Sequence, residues 1–243
     1  MKTILVYTKE EAARNAFAVE KFKSLLGAEL VTPDYRGEAD VVINRSNDYG
    51  IAEFYESRGV RVFNPCAFTR LANDKQAAYD FMEKNGIPVM PTRYGTPPFV
   101  KKPKDGHGGE GVVMCSSADE YDESFVCQKP ASDLGKDLRV WVLGGEIKAA
   151  FLRVSKTDFR SNFCLGGDAV PYNLSSGETA LIKKIIVLVD GDYYGIDFIF
   201  DGGKIVFNEL EDAVGARILY AKTETDIFAE YGKYILDNCS KAV

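Results

Sequence analysis

The chain is short of the ligands that a zinc site needs: it has one histidine in 243 residues, and its five cysteines include no Cys-x-x-Cys pair. Odd in number and widely spread, Cys66, Cys115, Cys127, Cys164 and Cys239 read as the reduced thiols of a cytoplasmic protein. Positive charge is also in deficit, with 30 Lys and Arg against 36 Asp and Glu and a net charge of −6. That balance argues against a nucleic-acid or membrane-surface binder, since both need a basic face. No apolar run approaches the length of a bilayer span, and residues 4–7 are too short for a signal segment. No Gly-x-Gly-x-x-Gly follows the first strand candidate, which argues against a nicotinamide site there. Internal repeats and low-complexity tracts are missing too. With 46% hydrophobic and 27% charged residues, the composition is that of a globular chain, long enough for two subdomains and a large core.

What is present is concentrated in residues 194–215, where two apolar runs flank Gly202-Gly203 and carry acids at their inner positions. Strand alternation and turn chemistry agree on a β-hairpin. Glu209 and Glu211 share one of its faces, because side chains two apart on a strand point the same way. Asp197 joins them if the turn is a three-residue loop with a left-handed glycine, and falls on the far face if the loop has two residues. The three-residue loop is the expectation. Three converging carboxylates raise one another's pKa unless a cation sits among them, and oxygen-only ligands suit Mg²⁺. A bare Glu-x-Glu is most often a solvated strand end. Asp197, an acid inside an apolar run, needs a partner and weighs against that reading here.

Residues 3–7 read as a strand, and Thr8 with Glu11 forms a capping box that opens a helix running to Gly27. Strand candidates at 29–32, 41–44 and 60–63, with a helix at 48–58, make a small parallel α/β domain. Beyond the break at Asn64-Pro65, a helix at 74–84 leads to a strand at 99–102, a glycine-rich loop at 103–111 and a strand at 112–115. The backbone N–H groups of such a loop can close around phosphates, and Lys102 can reach phosphate oxygens as a point charge. Taken alone, the loop is more often a structural turn, and His107 within it is at least as readily an exposed residue as a ligand. Further strands at 125–129, 138–143 and 147–153 surround a hinge-like loop at 130–136. Arg139 and Arg153 lie in otherwise apolar strands, where anions must meet them unless they snorkel to the surface. An irregular segment containing Arg160 and Asn162 has the character of a functional loop. A helix at 176–189, capped by Ser175 and Glu178, precedes the hairpin, and an amphipathic helix at 225–239 closes the chain as a core element.

In this order the motifs resemble the ATP-grasp carboxylate–amine ligases, most closely the RimK-like branch that adds amino acids to carboxyl groups. The resemblance rests on Lys102-Pro103 ahead of the glycine loop, on Gly-Lys-Asp-Leu-Arg-Val at 135–140, and on Arg153 followed by Asp-Phe-Arg-Ser-Asn and Gly166-Gly167. It is completed by Gly195-Ile196-Asp197 and Asn-Glu-Leu-Glu-Asp at 208–212, so that it spans residues 73–217. An α/β (α+β) ATP-grasp fold is implied, in which two subdomains at 67–129 and 130–243 grip ATP behind a small N-terminal domain at 1–66. The resemblance further implies that Lys75 and Lys102 bind phosphates while Gly106, Gly108, Gly109 and Gly111 fold over them. Gln128 and Lys129 would bracket adenine, and Asp137 would lie near the ribose. Asp197, Glu209 and Glu211 would hold one or two Mg²⁺ ions, with Mn²⁺ as an alternative, and Arg139, Arg153, Arg160 and Asn162 would face the transferred phosphoryl group.

The chain departs from the family where Glu209-Leu210-Glu211 replaces Glu-x-Asn and Val214-Gly215 replaces Pro-Gly, and its N-terminal domain is shorter than usual. The extra carboxylate should favour two ions. The implied reaction is attack of a carboxylate on the γ-phosphate of ATP, followed by capture of the acyl phosphate by an amine, with small molecules or peptides as substrates. A nucleotide-binding module that acts through a partner, and a phosphotransferase that forms no amide, are the alternatives. Arg217 and Tyr220 are candidates either for contact with the substrate carboxylate or for packing. A homodimer is the default assembly.

Overall fold

The structure is a computed structural model, and it describes residues 1–106, 108–155 and 168–239. Its N-terminal layer is a parallel sheet of β1 (Thr3–Val6), β2 (Glu29–Val31), β3 (Val41–Asn44) and β4 (Arg61–Phe63), in the order β2-β1-β3-β4. The expected long first helix forms as two pieces, α1 (Lys9–Arg14) and α2 (Ala16–Leu26). Thr8 caps α1 by accepting from the Glu11 N–H at 3.1 Å, but the Glu11 carboxylate turns to Arg14 at 2.9 Å and to Asn15 at 3.0 Å. The second half of the capping box is therefore not made. The break falls at Asn15, whose side chain donates to the Glu11 carbonyl at 2.9 Å and competes with the backbone ladder. Helix α3 (Tyr49–Glu56) joins β3 to β4.

Helices α4 (Cys66–Ala72) and α5 (Lys75–Lys84) lead to a small antiparallel sheet of β5 (Phe99–Lys102), β6 (Val113–Cys115) and β7 (Val126–Gln128), in the order β6-β5-β7. The hinge-like loop expected at 130–136 is shorter than its composition suggests, because β8 (Asp133–Leu143) already begins within it. Strand β8 belongs to the largest sheet, with β9 (Glu146–Val154), β10 (Asp168–Pro171), β11 (Tyr193–Asp201) and β12 (Lys204–Glu211) in the antiparallel order β10-β9-β8-β11-β12. Helix α6 (Ser176–Val189) covers one face, where Ile182, Ile185 and Ile186 meet Leu138, Val140, Ile196 and Phe198. Helices α7 (Arg217–Lys222) and α8 (Ile227–Asn238) complete the described chain. None of the described helices is long and apolar enough to cross a membrane.

The opposite face of the large sheet is divided along its length. Strand period places Asp137, Arg139, Trp141 and Leu143 together on it. The Trp141 end packs with Phe151 and Tyr193 into a core shared with Leu5 and Phe22 of the N-terminal layer and Phe228 and Tyr231 of α8. The Asp137 end carries charge and stays uncovered by that core. Asn64 ties the layers together: its Nδ2 donates to the Tyr193 carbonyl at 2.9 Å and to Asp212 Oδ1 at 2.7 Å, and its Oδ1 accepts from the N–H groups of Asp192 at 2.8 Å and Tyr193 at 2.9 Å.

The decisive hairpin departs from the expected turn. Asp201 pairs with Lys204 across a two-residue Gly202-Gly203 loop, with φ of 56° and 76° as a primed turn requires. A β-bulge then shifts the register: Phe198 pairs with Phe207, but Asp197 pairs with Glu209, which leaves Asn208 as the extra residue. The bulge, not a longer turn, brings Asp197 to Glu209. Because Asn64 satisfies four buried partners, Asn64→Ala is expected to lower stability by roughly 2–4 kcal/mol in urea unfolding, through the unpaired groups it leaves. A loss under half a kcal/mol (roughly the surface-mutation level) would contradict this role.

Candidate active site

The charged side chains of the large sheet lie as cross-strand neighbours. Register places Arg153 opposite Asp137, Arg139 opposite Asp197, and Asp197 opposite Glu209, so one face carries both signs across four strands, with the acids Asp197 and Glu209 side by side. Arg139 binds Asp197 through two parallel bonds, Nε to Oδ1 at 2.7 Å and Nη2 to Oδ2 at 2.6 Å, and its Nη2 also reaches Glu211 Oε2 at 2.6 Å. Arg153 grips Asp137 with Nε and Nη2 and places Nη2 2.8 Å from Asp197 Oδ2. Asp197 is only 4% exposed. Burial alone would push its carboxyl up, but Arg139 and Arg153 outweigh it and hold the pKa at about 2.

Helix α5 and the small sheet supply the facing wall. Asp74 caps α5 by accepting from the Ala77 N–H at 3.0 Å, which sets Lys75 at the first helical position. The Lys75 ammonium lies 3.0 Å from Glu209 Oε1 and also donates to the Gly106 carbonyl, while its backbone N–H donates to the Lys104 carbonyl at 2.9 Å. One helical turn on, Tyr79 shares the face of Lys75. Its hydroxyl donates to the Asn208 carbonyl at 2.6 Å and accepts from Lys102. Lys102 also donates to Asn208 Oδ1 at 3.1 Å. The extra residue of the bulge thus holds both groups.

Lys102 is buried with no ion-pair partner among the described residues, and its pKa falls to about 7 through burial, with Glu209 opposing the fall and Lys75 adding repulsion. Burial also raises the Glu209 carboxyl, helped by Glu211 and Asp197 and resisted by Lys75. The glycine loop folds back on Pro103: a Cβ on Gly106 would lie 3.0 Å from the Pro103 Cβ, and one on Gly111 would lie 2.9 Å from its Cγ. Gly108, Gly109 and Gly111 have φ of 65°, 78° and 69°, a backbone that other residues adopt only under strain.

Of the residues expected from sequence, Lys75, Lys102, Gly106, Gly109, Gln128, Lys129, Asp137, Arg153, Asp197 and Glu209 line a single cleft between the small and large sheets. Gly108 and Gly111 sit in the loop above it, and Arg139 and Glu211 join through the ion pairs with Asp197. Gln128 is buried and donates to the Met90 carbonyl at 3.3 Å, whereas Lys129 is exposed. The Asp137 carboxylate, expected near a ribose, is engaged by Arg153. Arg160, Asn162 and His107 lie outside the described residues. Tyr220 packs on Phe17 and Phe228 and donates to Asp226, which gives it a structural role, while Arg217 is exposed. Sequence reasoning missed Tyr79 and Asn208. The four-residue spacing from Lys75 pointed to the first; the second depends on the bulge, which no local signal marks.

No three metal-capable side chains among the described residues stand close enough to share an ion as they are placed. Arg139 sits between Asp197 and Glu211, and Lys75 holds Glu209. The donor chemistry nonetheless fits a hard divalent cation, since the acids offer only carboxylate oxygens and lie on one face of the hairpin.

A family model described as the RimK-like ATP-grasp domain matches residues 65–235. The chain is 27% identical over 248 residues to "Uncharacterized protein MG011" of Mycoplasma genitalium, covering 90% of this chain and 86% of that protein. It is 26% identical over 193 residues to the alpha-aminoadipate–LysW ligase LysX of Saccharolobus solfataricus, covering 74% of this chain and 66% of that protein. In fold it is similar to a RimK domain ATP-grasp protein from Sphaerobacter thermophilus, with a TM-score of 0.71 at 18% identity over 96% of this chain and 99% of that one.

The depressed pKa of Lys102 gives a stability test with a defined sign. A lysine whose folded pKa lies below its unfolded value binds fewer protons when folded, so its burial penalty is fully present below about pH 7 and disappears as pH rises toward the unfolded value. Lys102→Met should therefore stabilise the ligand-free protein at pH 6 by roughly 3 kcal/mol, with the gain shrinking toward pH 10, as read by urea unfolding at both ends. A gain independent of pH would contradict the assignment.

Proposed function

The chain belongs to the RimK-like ATP-grasp family and is an ATP-dependent carboxylate–amine ligase, and we propose that it acts by forming an acyl phosphate in this cleft. The observation that carries the reading is the pairing of charges. Asp137, Asp197, Glu209 and Glu211 are met by Arg153, Arg139 and Lys75, with Lys102 buried beside them. Each cation is of a type that binds phosphate, and each acid of a type that binds a hard metal ion. An incoming nucleotide and its metal ions can take over both sets of partners.

In this reading Lys75 and Lys102 bind the phosphates, and the loop carrying Gly106, Gly108, Gly109 and Gly111 lies over them and excludes water. Gln128 and Lys129, at the end of β7, flank the adenine, and Asp137 lies near the ribose. Asp197, Glu209 and Glu211 would hold Mg²⁺ once Arg139 and Lys75 release them, and the ion would supply charge neutralisation at the terminal phosphates. The additional carboxylate of Glu211 favours two ions over one, and Mn²⁺ has the same ligand preference. Arg139 and Arg153, freed from the acids, stabilise the phosphoryl group as it moves to the substrate carboxylate, with Arg160 and Asn162 assigned to the same group. The donors are positioned before the reaction, which is where most of the catalytic advantage in phosphoryl transfer arises.

The substrates are a carboxylate and an amine, each a small molecule or a peptide. LysX, whose name couples α-aminoadipate to the protein LysW, supports that range. The small and large sheets correspond to gripping subdomains at 67–129 and 130–243, behind an N-terminal domain at 1–66. Replacing Glu209 by Gln is expected to lower carboxylate-dependent ADP release by about 100- to 1000-fold, or about 3–4 kcal/mol of transition-state stabilisation. In the wild-type protein, hydroxylamine should divert the intermediate to a hydroxamate. Near-normal turnover by Glu209→Gln, or ADP release with a stable phosphate ester and no hydroxamate, would refute the proposal.

A further inference from the structure

Tyr79 of α5 carries a buried hydroxyl to which the cleft chemistry gives no task. The residue is 1% exposed, and its ring packs edge-on against Phe207 of β12, with centroids 6.0 Å apart. Its hydroxyl stands where three elements meet. It donates to the carbonyl of Asn208 on β12 at 2.6 Å and accepts from the ammonium of Lys102 on β5. The same ammonium donates to Asn208 Oδ1 at 3.1 Å. The small and large sheets are thus joined through the tyrosine oxygen and the side-chain amide of Asn208.

The bulge sets the direction of the tyrosine proton. An extra residue is left unpaired in the ladder, and Asn208 is that residue, so its carbonyl is available to take the proton. With the proton committed there, the phenol oxygen meets Lys102 as an acceptor. Lys102 has a flexible four-carbon stem and an ammonium with three donors. Two of the donors go to Tyr79 and Asn208, both of them neutral. Lys75, by contrast, meets the Glu209 carboxylate at 3.0 Å. Lys102 is therefore held in place by groups that do not cancel its charge, and both Lys102 and Asn208 line the cleft.

We propose that Tyr79 and Asn208 are positioning residues for Lys102: they orient its ammonium toward the nucleotide phosphates while leaving its charge free to act on them. This rests on the reading of the cleft that assigns Lys102 to phosphate. A tyrosine that only packs would be indifferent to the presence of Lys102. Gln128, assigned to the adenine, also interacts with the Tyr79 hydroxyl. A role through Gln128 would act on the nucleoside, not on the phosphates.

The test is a double-mutant cycle on the full chain with Tyr79→Phe, Lys102→Met and the pair, in which calorimetry reads the affinity for AMPPNP with Mg²⁺ and for adenosine. Tyr79→Phe removes the hydroxyl and keeps the ring, whose centre lies 4.9 Å from the ammonium. It should weaken AMPPNP binding about tenfold, the scale of one hydrogen bond to a charged group, and leave adenosine within about twofold. In the Lys102→Met background, itself weakened about tenfold or more, the same change should cost less than about twofold. A penalty that persists undiminished without Lys102, one that falls equally on adenosine, or no penalty at all overturns the proposal. If Tyr79→Phe does not fold, Asn208→Ala, which removes the amide acceptor and leaves the tyrosine, decides by the same cycle. Wild type that binds no AMPPNP, or Lys102→Met that binds it as tightly as wild type, overturns the phosphate assignment and the proposal with it.

Discussion

Asp197 lies between Arg139 and Arg153, and the cleft is built around that contact. A buried carboxylate with two guanidinium partners is fully ionised, and the partners are fixed in turn by Asp137 and Glu211. Removing any one member would leave a buried charge uncompensated, which is more damaging than losing the pair as a whole. The ligand-free cleft is therefore neutralised from within, by groups whose chemistry suits a nucleotide and its metal ions. These internal counter-ions keep Asp197 and its neighbours from standing as bare charges in the absence of ligand.

The fold serves this arrangement by dividing one sheet face between two tasks. At the Trp141 end, the face closes against the N-terminal layer and α8 and forms the core. At the Asp137 end, the same strands present charge to α5 and the small sheet. Strand period makes this economical, since residues two apart on β8 share a face while their environment changes along it. Asn64 and Arg45 both stand where the N-terminal sheet meets the hairpin, one satisfying backbone groups and the other donating to the Val214 carbonyl. The short N-terminal domain is in this way coupled to the end of β12.

Much of this was legible in the residues. The motifs around Lys102, Asp137, Arg153 and Asp197 carried the family, and alternation placed Glu209 and Glu211 on one face. The turn differs from the expected three-residue loop because a two-residue turn with a bulge at Asn208 brings Asp197 to Glu209 as well as a longer turn would. Bulges are set by tertiary packing, here by Tyr79 and Lys102 holding Asn208, and leave little trace in a single sequence. The break at Asn15 was hidden likewise, because the Glu11 side chain had to choose between the cap and its neighbours Arg14 and Asn15. The ion pairs that engage these acids could not be foreseen without the register that sets Arg139 against Asp197.

The central claim is that a carboxylate is activated by phosphorylation in this cleft. It is tested most directly by supplying an ¹⁸O-labelled carboxylate that supports ADP release, and following the label by mass spectrometry. Transfer of one labelled oxygen into inorganic phosphate, with ADP as the nucleotide product, is the expected result. Phosphate free of label, or label appearing in AMP, would contradict the account.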